Sequence, residues 1–312
     1  MLNYVFRRVL YAVPILIGVS LFTFLLFYVF VSPETMARRA IGAKDPTPQQ
    51  IQAWLKEKGY DKPKSEQFKG HITQLMLLKF GKSDTTGEDI WTRIKAGAGP
   101  SALIASLVLV STLTSALTLA LVVGYYRGTY LDFWGTFLCV LMMSIVYMVW
   151  IIGAQYLFGR ILKYFPLAGF RPDDAVRFVL LPVLVGTLVG LGASVRFYRT
   201  VLLDEMNQDY VRTARAKGVG ERTVLLRHVL KNCLVPILTS TVAALPTLIL
   251  GSLLLETFFG IPGLGSTLLD AINSQDFAMV RAFTFLGALL YIIGLILTDI
   301  SYAVVDPRVR LE

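Results

Sequence analysis

Charge, cysteine and histidine are the scarce components of this 312-residue chain. Asp, Glu, Lys and Arg make up 16% of it and hydrophobic residues 55%, with a mean hydropathy of +0.62, whereas a globular chain carries about a quarter charged residues. Charge is missing from long stretches and dense in others, which excludes an ordinary soluble domain. The two cysteines are Cys139, inside an apolar run, and Cys233, at the start of another. Neither a disulfide framework nor a thiolate metal site fits that pair. The two histidines, His71 and His228, stand in no HExxH pattern.

Catalytic equipment is missing too. Gly81-Lys82-Ser83 resembles the tail of a phosphate-binding loop, but Met76 stands where that loop requires a glycine. Gly190-Leu191-Gly192-Ala193-Ser194 offers a serine without a His or Lys base in a neighbouring run, so it reads as close helix packing. No catalytic residue, metal site or cofactor is expected on this chain.

What is present is a set of six apolar runs: Val9 to Val31, Ser101 to Tyr126, Phe133 to Gly159, Phe178 to Val195, Asn232 to Leu255 and Ala282 to Val305. Each meets the roughly 20 residues a bilayer-spanning helix needs. The expected fold is therefore all-α and polytopic, with six transmembrane helices. Only the last run contains an acid, Asp299, which is expected to reach the interface or pair with an inner-loop arginine. Polytopic topology alone also fits an ion-coupled secondary transporter, but such a protein carries coupling groups near the midplane, and these runs are nearly free of ionisable residues.

The basic residues set the orientation. With both termini cytoplasmic, thirteen Lys and Arg fall on the inner side, eight of them between Arg196 and Lys231, and five in the two short outer loops. The remaining twelve lie in the long segment between the first two runs. The net charge of +9 is thereby explained by topology rather than by nucleic acid. The first run ends at Val31-Ser32-Pro33 without a small-x-small cleavage site, so it is expected to be a retained anchor. Three regions follow: residues 1–31, an extracytoplasmic segment 32–99 and a five-helix core 100–312 containing a cytoplasmic loop at 200–235. In the outer segment Thr47-Pro48-Gln49-Gln50 predicts a capped helix start, Gly59 its stop, and His71 to Phe80 a second amphipathic stretch ending at Gly81.

The inner loop is the most informative piece. Gln208-Asp209-Tyr210-Val211-Arg212-Thr213-Ala214-Arg215-Ala216-Lys217-Gly218 predicts a short helix. A second follows Gly220, in which Val224, Leu225 and Val229 pack onto the ends of the spans. This segment, with Leu226-Arg227-His228, Asn232 and Pro236, resembles the EAA loop of ABC importer permeases of the dipeptide, oligopeptide and nickel class. The places of Glu, Ala, Ala and Gly in the general motif hold Arg212, Thr213, Ala214 and Gly218, so two of the four agree. Resemblance extends to Arg7-Arg8 through Pro14 to Ser20, Phe80 to Ser83, Phe165-Pro166-Leu167-Ala168-Gly169, Glu256 to Gly265 and Asp299 to Arg308.

That resemblance implies a type I importer transmembrane fold in a bacterial inner membrane, with a second homologous permease subunit, two cytoplasmic ATPase subunits that bind ATP and Mg, and an extracytoplasmic binding protein as partners. It implies that Asp209, Tyr210, Thr213, Ala214, Arg215, Lys217 and Gly218 form the helix that docks on an ATPase, with Ala214 permitting close approach and Gly218 the turn. It also places Glu256, Pro262, Gly263 and Gly265 at an external gate or binding-protein contact. Pro246 and Gly251-Ser252 are expected to kink the fifth span.

Overall fold

The structure is a computed structural model that describes residues 2–41, 46–249 and 253–305. The helices are α1 (Leu2–Phe24), α2 (Pro33–Ile41), α3 (Pro48–Glu57), α4 (Lys64–Met76), α5 (Ile90–Tyr125), α6 (Tyr130–Ser144), α7 (Tyr147–Ala154) and α8 (Ala175–Met206). They continue with α9 (Asp209–Ala216), α10 (Glu221–Thr223), α11 (Leu230–Ile249), α12 (Leu253–Phe258), α13 (Leu264–Asn273) and α14 (Phe277–Val305). Wider π-helical turns extend α1 over Leu25–Phe30, α7 over Gln155–Ile161 and α10 over Val224–Val229. Among the described residues the regular structure is helical, apart from an isolated bridge between Lys82 and Asp89.

Four stretches are long and apolar enough to cross a bilayer: Phe6–Phe30, Ile90–Tyr125, Pro172–Met206 and Phe277–Ile300. Large apolar side chains face outward along them and along α6, including Phe22, Phe30, Phe133 and Trp134. Lipid is the solvent that tolerates such a surface. The hydroxyls of Ser20 and Thr23 close onto carbonyls of Leu16 and Val19 at 2.8 and 3.0 Å, so α1 carries them without an open donor.

The third expected span, Phe133 to Gly159, is not straight. Helices α6 and α7 meet at 94°, because the β-branched pair Ile145-Val146 adopts extended backbone between them. The fourth runs eleven residues beyond Val195, to Met206, carrying Arg196 and Arg199 inside the helix. Arg281, expected in a loop, lies in the second turn of α14. The fifth, Asn232 to Leu255, maps onto α11 and α12. Gly251 and Ser252 between them, like Asp306 to Arg308, fall outside the described residues, as does the side chain of Pro246.

The described chain forms two compact units. One comprises residues 2–101 with 262–296 and the other residues 102–261 with 297–305. In the first, Ile90 and Ile94 of α5 pack with Leu264 and Ala271 of α13 and Met279 and Phe283 of α14. A second cluster there joins Ala12 and Leu16 to Leu75, Phe285 and Ile292. In the other unit, Ala116 and Ala120 of α5, Leu191 to Leu202 of α8, Val211, Ala214, Val224, Val229 and Ile237 form one continuous core. Gly192 is required there: a Cβ would stand 2.6 Å from the Cys139 carbonyl oxygen, so α8 and α6 touch backbone to backbone.

The segment 32–99 follows its sequence signals closely at first. Thr47 Oγ1 accepts from the Gln50 amide at 3.4 Å, and Gln50 Oε1 accepts from the Thr47 amide at 2.9 Å, completing the capping box. Gly59 turns left-handed (φ +73°) one residue past the C-cap Lys58. The second helix begins earlier than expected, at Lys64, and stops at Met76, where Leu78 also turns left-handed (φ 54°).

Candidate functional site: the loop after α8 and its surroundings

Helix α9 is eight residues long and amphipathic. Val211 and Ala214, three apart, share the buried face, at 0% and 9% exposure, while Asp209, Arg212, Thr213, Arg215, Ala216 and Lys217 are exposed. Asp209 in the first turn and Arg215 in the last match the helix dipole. The chain then reverses at Gly218 (φ +77°), a conformation that disfavours any residue with a Cβ. No atom outside its neighbours lies within 4 Å of a Cβ added there, so it is the backbone angle, not crowding, that selects glycine.

Beyond the turn, Val224, Leu225 and Val229 are buried in the same core as Val211 and Ala214. The expected packing of the second helix onto the spans is present, on a π-helical rather than an α-helical backbone. Arg215 Nε donates to Glu221 at 3.0 Å, tying one side of the turn to the other. The Tyr210 hydroxyl donates to Glu205 Oε1 at 2.7 Å, and burial together with that carboxylate pushes its pKa up to about 12.

Of the seven loop residues singled out from the sequence, Ala214 therefore faces its own protein. The close approach its small side chain permits is to Val211, Val224 and Val229 rather than to an open surface. Tyr210 is likewise engaged with Glu205. The exposed ridge consists of Asp209, Arg212, Thr213, Arg215, Ala216 and Lys217, so Arg212 and Ala216 join the four exposed residues expected from the sequence.

A long-range ion pair joins the end of α8 that leads into this loop to α6. Arg199 donates from Nε and Nη2 to the two carboxylate oxygens of Asp132 at 2.9 and 2.8 Å, a bidentate pair between α8 and α6. Asp132 also accepts from the Gly128 amide at 3.0 Å. The signal available was an acid in the first turn of a helix starting after Gly128-Thr129, and its partner lies 67 residues away.

Above the core of the same unit, Gln155 Nε2 donates to the carbonyls of both Leu167 and Phe258 at 2.8 Å, and the Gly169 amide donates to the Phe259 carbonyl at 2.7 Å. The motifs Phe165 to Gly169 and Glu256 to Gly260 are thus one assembly, with Gly260 (φ +61°) 3.0 Å by its Cβ direction from the Gly169 nitrogen. Glu256 is fully enclosed, so it is no surface contact. In the other unit Pro262 is exposed and Gly263 and Gly265 are buried. A Cβ on Gly97 would come within 3.0 Å of Gly263, and the Leu264 amide donates to Ser101 Oγ at 2.7 Å. These glycines serve close backbone packing.

A cavity of about 610 Å³ lies in the second unit, lined by Thr112, Tyr147, Gly190, Ser194, Tyr198 and Ser240 among others, none of them charged. The first unit carries a separate cleft of about 500 Å³ lined by Glu88, Asp89, Arg93, Pro262, Ser266 and Asp270.

The chain is similar to known proteins over its whole length. Residues 116–311 match the family model described as binding-protein-dependent transport system inner membrane component, and residues 1–88 match the one for the N-terminal part of such membrane components. A Brucella abortus protein provisionally named a peptide transport system permease is 32% identical over 99% of each chain. The di/tripeptide transport system permease protein DppB of Pseudomonas aeruginosa is 30% identical over 99% of each. The oligopeptide transport system permease protein AppB of Bacillus subtilis is 29% identical over 99% of this chain and 100% of its own.

Proposed function

Since this chain belongs to the family of binding-protein-dependent transport system inner membrane components, we propose that it is the peptide-class permease subunit of an ATP-driven importer. It forms part of the translocation pathway for peptides or related small solutes. It stands in a bacterial inner membrane with six spans and both termini cytoplasmic, the segment 32–99 outside, the core 100–312 and the coupling loop 200–235 inside. ATP and Mg bind to two separate cytoplasmic ATPase subunits, a second permease subunit completes the path, and an extracytoplasmic binding protein delivers the solute.

The observation that carries this reading is the inner loop: a short amphipathic helix, sealed to its own core by Val211 and Ala214, that presents Asp209, Thr213, Arg215 and Lys217 outward. We assign those four, with Arg212 and Ala216, to docking on the ATPase. Ala214 and Tyr210 hold the helix in place, and Gly218 sets the turn. ATP closure favours one arrangement of the docked loops over another, which is the differential affinity that a switch in access requires. Because Val211 and Ala214 share one core with the Val224–Val229 turn and with residues of α8 and α11, displacement of α9 is passed through that turn to those helices.

On the outer side the enclosed Glu256 favours a gate over a binding-protein contact. Pro262, at the rim of the acidic cleft with Glu88, Asp89 and Asp270, is the exposed candidate for meeting the binding protein, while Gly263 and Gly265 let that rim pack tightly. The neutral, hydroxyl-bearing cavity around Thr112, Ser194 and Ser240 is the part of the second unit suited to line the path.

Reconstitution tests the proposal. The purified chain alone hydrolyses no ATP, and uptake into vesicles requires the second permease, the ATPases and the binding protein together. Uptake that followed a proton or sodium gradient without ATPases would contradict it.

A further inference from the structure

Arg281 occupies an unusual place in the first unit. Its guanidinium lies over the Tyr28 ring, 4.9 Å from the centroid, and Nε donates to the Phe277 carbonyl at 3.2 Å. Tyr28 stacks on Tyr60 (5.0 Å) and Tyr60 on Trp54 (5.8 Å), and Lys58 Nζ stands 5.7 Å from the Trp54 ring at the far end. The ladder therefore has a cation at each end. The Lys58 cation is paired, at 2.8 Å, with Asp84. Among the described residues no carboxylate lies within ion-pair distance of Arg281, and its Nη1 is buried without a hydrogen-bond partner in the protein.

Beside it is a recess of about 20 Å³ whose polar lining comes from Tyr28, His71, Gln74, Lys79 and Arg281. Two of these groups are cations, none is a carboxylate, and the imidazole is neutral at physiological pH because burial and the Arg281 charge lower its pKa to about 4. Room for a single water takes about 10–15 Å³ of such space, so the recess admits one small guest, a water or an ion. A cation is repelled. Tyr28, Tyr60 and Asp84 favour the Arg281 cation from a distance, but Asp84 is paired with Lys58; a water would give Nη1 an acceptor without adding negative charge, whereas an anion supplies both.

We infer that this recess is a binding site for one small monovalent anion of the halide class, held by Arg281 Nη1 with Lys79 and Gln74 at its edge. The ion neutralises the outer end of α14 and fastens α4 and the end of α1 to it. The site is independent of the transport reading, since none of its residues belongs to the 200–235 loop.

The test uses the full chain in its transporter complex, with gluconate replaced by chloride or bromide at constant ionic strength. Thermal unfolding midpoints are expected to rise by about 5 °C in about 100 mM halide over gluconate, and by less in sulfate at the same ionic strength, because a dianion is costlier to desolvate beside buried groups. Bromide is expected to give an anomalous diffraction peak beside Arg281 Nη1, and Arg281→Gln to abolish both effects. Lys79→Gln, at an exposed edge position, is expected to fold and to weaken the halide response about tenfold, which keeps the test decisive if Arg281→Gln does not fold. Identical midpoints in all salts, no anomalous peak beside Nη1 in bromide, or an undiminished halide response in either variant would overturn the assignment.

Discussion

Arg215 and Glu221 hold each other across the turn that follows α9, guanidinium Nε to carboxylate at 3.0 Å, with Gly218 left-handed (φ +77°) between them. The turn is thus fixed twice, by a backbone angle and by an ion pair. The two contributions differ in size. Both partners are about 40% exposed, so screening limits the pair to roughly 0.2–1 kcal/mol. Gly218→Ala is expected to cost about 1–2 kcal/mol from the left-handed angle alone. Hydrogen exchange of the α9 amides is expected to accelerate more in Gly218→Ala than in Arg215→Ala.

Ala214→Arg places a charged side chain where Val211, Val224 and Val229 now close on one another. The expected result is unfolding of the loop at a cost of about 2–4 kcal/mol, read as protease cleavage between Asp209 and Arg222 in the chain without any ATPase. Protection equal to that of the unsubstituted chain would show that Ala214 is not sealed into the core.

Much of this loop is legible in the sequence. Gly218, the Val211 and Ala214 spacing and the Val224, Leu225 and Val229 face are all local signals. Which face meets a partner is not, because a small residue suits close approach to a neighbouring subunit and to the protein's own core equally well. The 94° bend between α6 and α7 escaped for a related reason: an unbroken apolar run satisfies a span by length, and Ile145-Val146 carries neither Pro nor Gly to mark the break. Long-range pairs such as Arg199 with Asp132, or Gln155 with Phe258, leave no local trace at all.

Asp276 caps α14, accepting from the Met279 amide at 3.0 Å, the Asp84 amide at 3.2 Å, Thr85 Oγ1 at 3.0 Å and the Ser83 hydroxyl. The resemblance of Gly81-Lys82-Ser83 to a phosphate loop thus has a structural explanation, since Ser83 binds an acid of its own chain. Burial pushes the Asp276 carboxyl up, but these hydrogen bonds outweigh it and hold it below its ordinary range. Its stabilisation is therefore present above the unfolded carboxyl pKa of about 4 and lost as pH falls through the folded value. Asp276→Ala is expected to destabilise by about 1–3 kcal/mol at neutral pH, measured by thermal unfolding, and to remove that acid-range loss.

His71 acts in the adjoining range, with the same sign. With a folded pKa of about 4 against an ordinary 6.5, the unfolded chain binds the proton first, so stability is full above about pH 6.5 and declines as pH falls towards 4. The decline attributable to His71 is about 3 kcal/mol at most. His71→Gln is expected to flatten the melting temperature between pH 7 and 5, and an unchanged slope would exclude the assignment.

Gly192→Ala drives a methyl to 2.6 Å from the Cys139 carbonyl oxygen and 2.9 Å from Met143. Separation of α6 from α8 is expected, at a cost of about 1–3 kcal/mol, seen as lower yield of folded protein. Gly18→Ala, with open space around it, serves as the neutral comparison.

The docking assignment is tested most directly by Thr213→Trp, which alters the exposed ridge of α9 and leaves Val211 and Ala214 in place. The measurement is copurification of the ATPase subunits with the permease, together with binding-protein-dependent uptake. The expected result is a permease that inserts and melts normally but loses the ATPases and uptake together. Retention of the ATPases at the unsubstituted level with normal uptake would contradict the claim that this ridge is where the energy of ATP enters the protein.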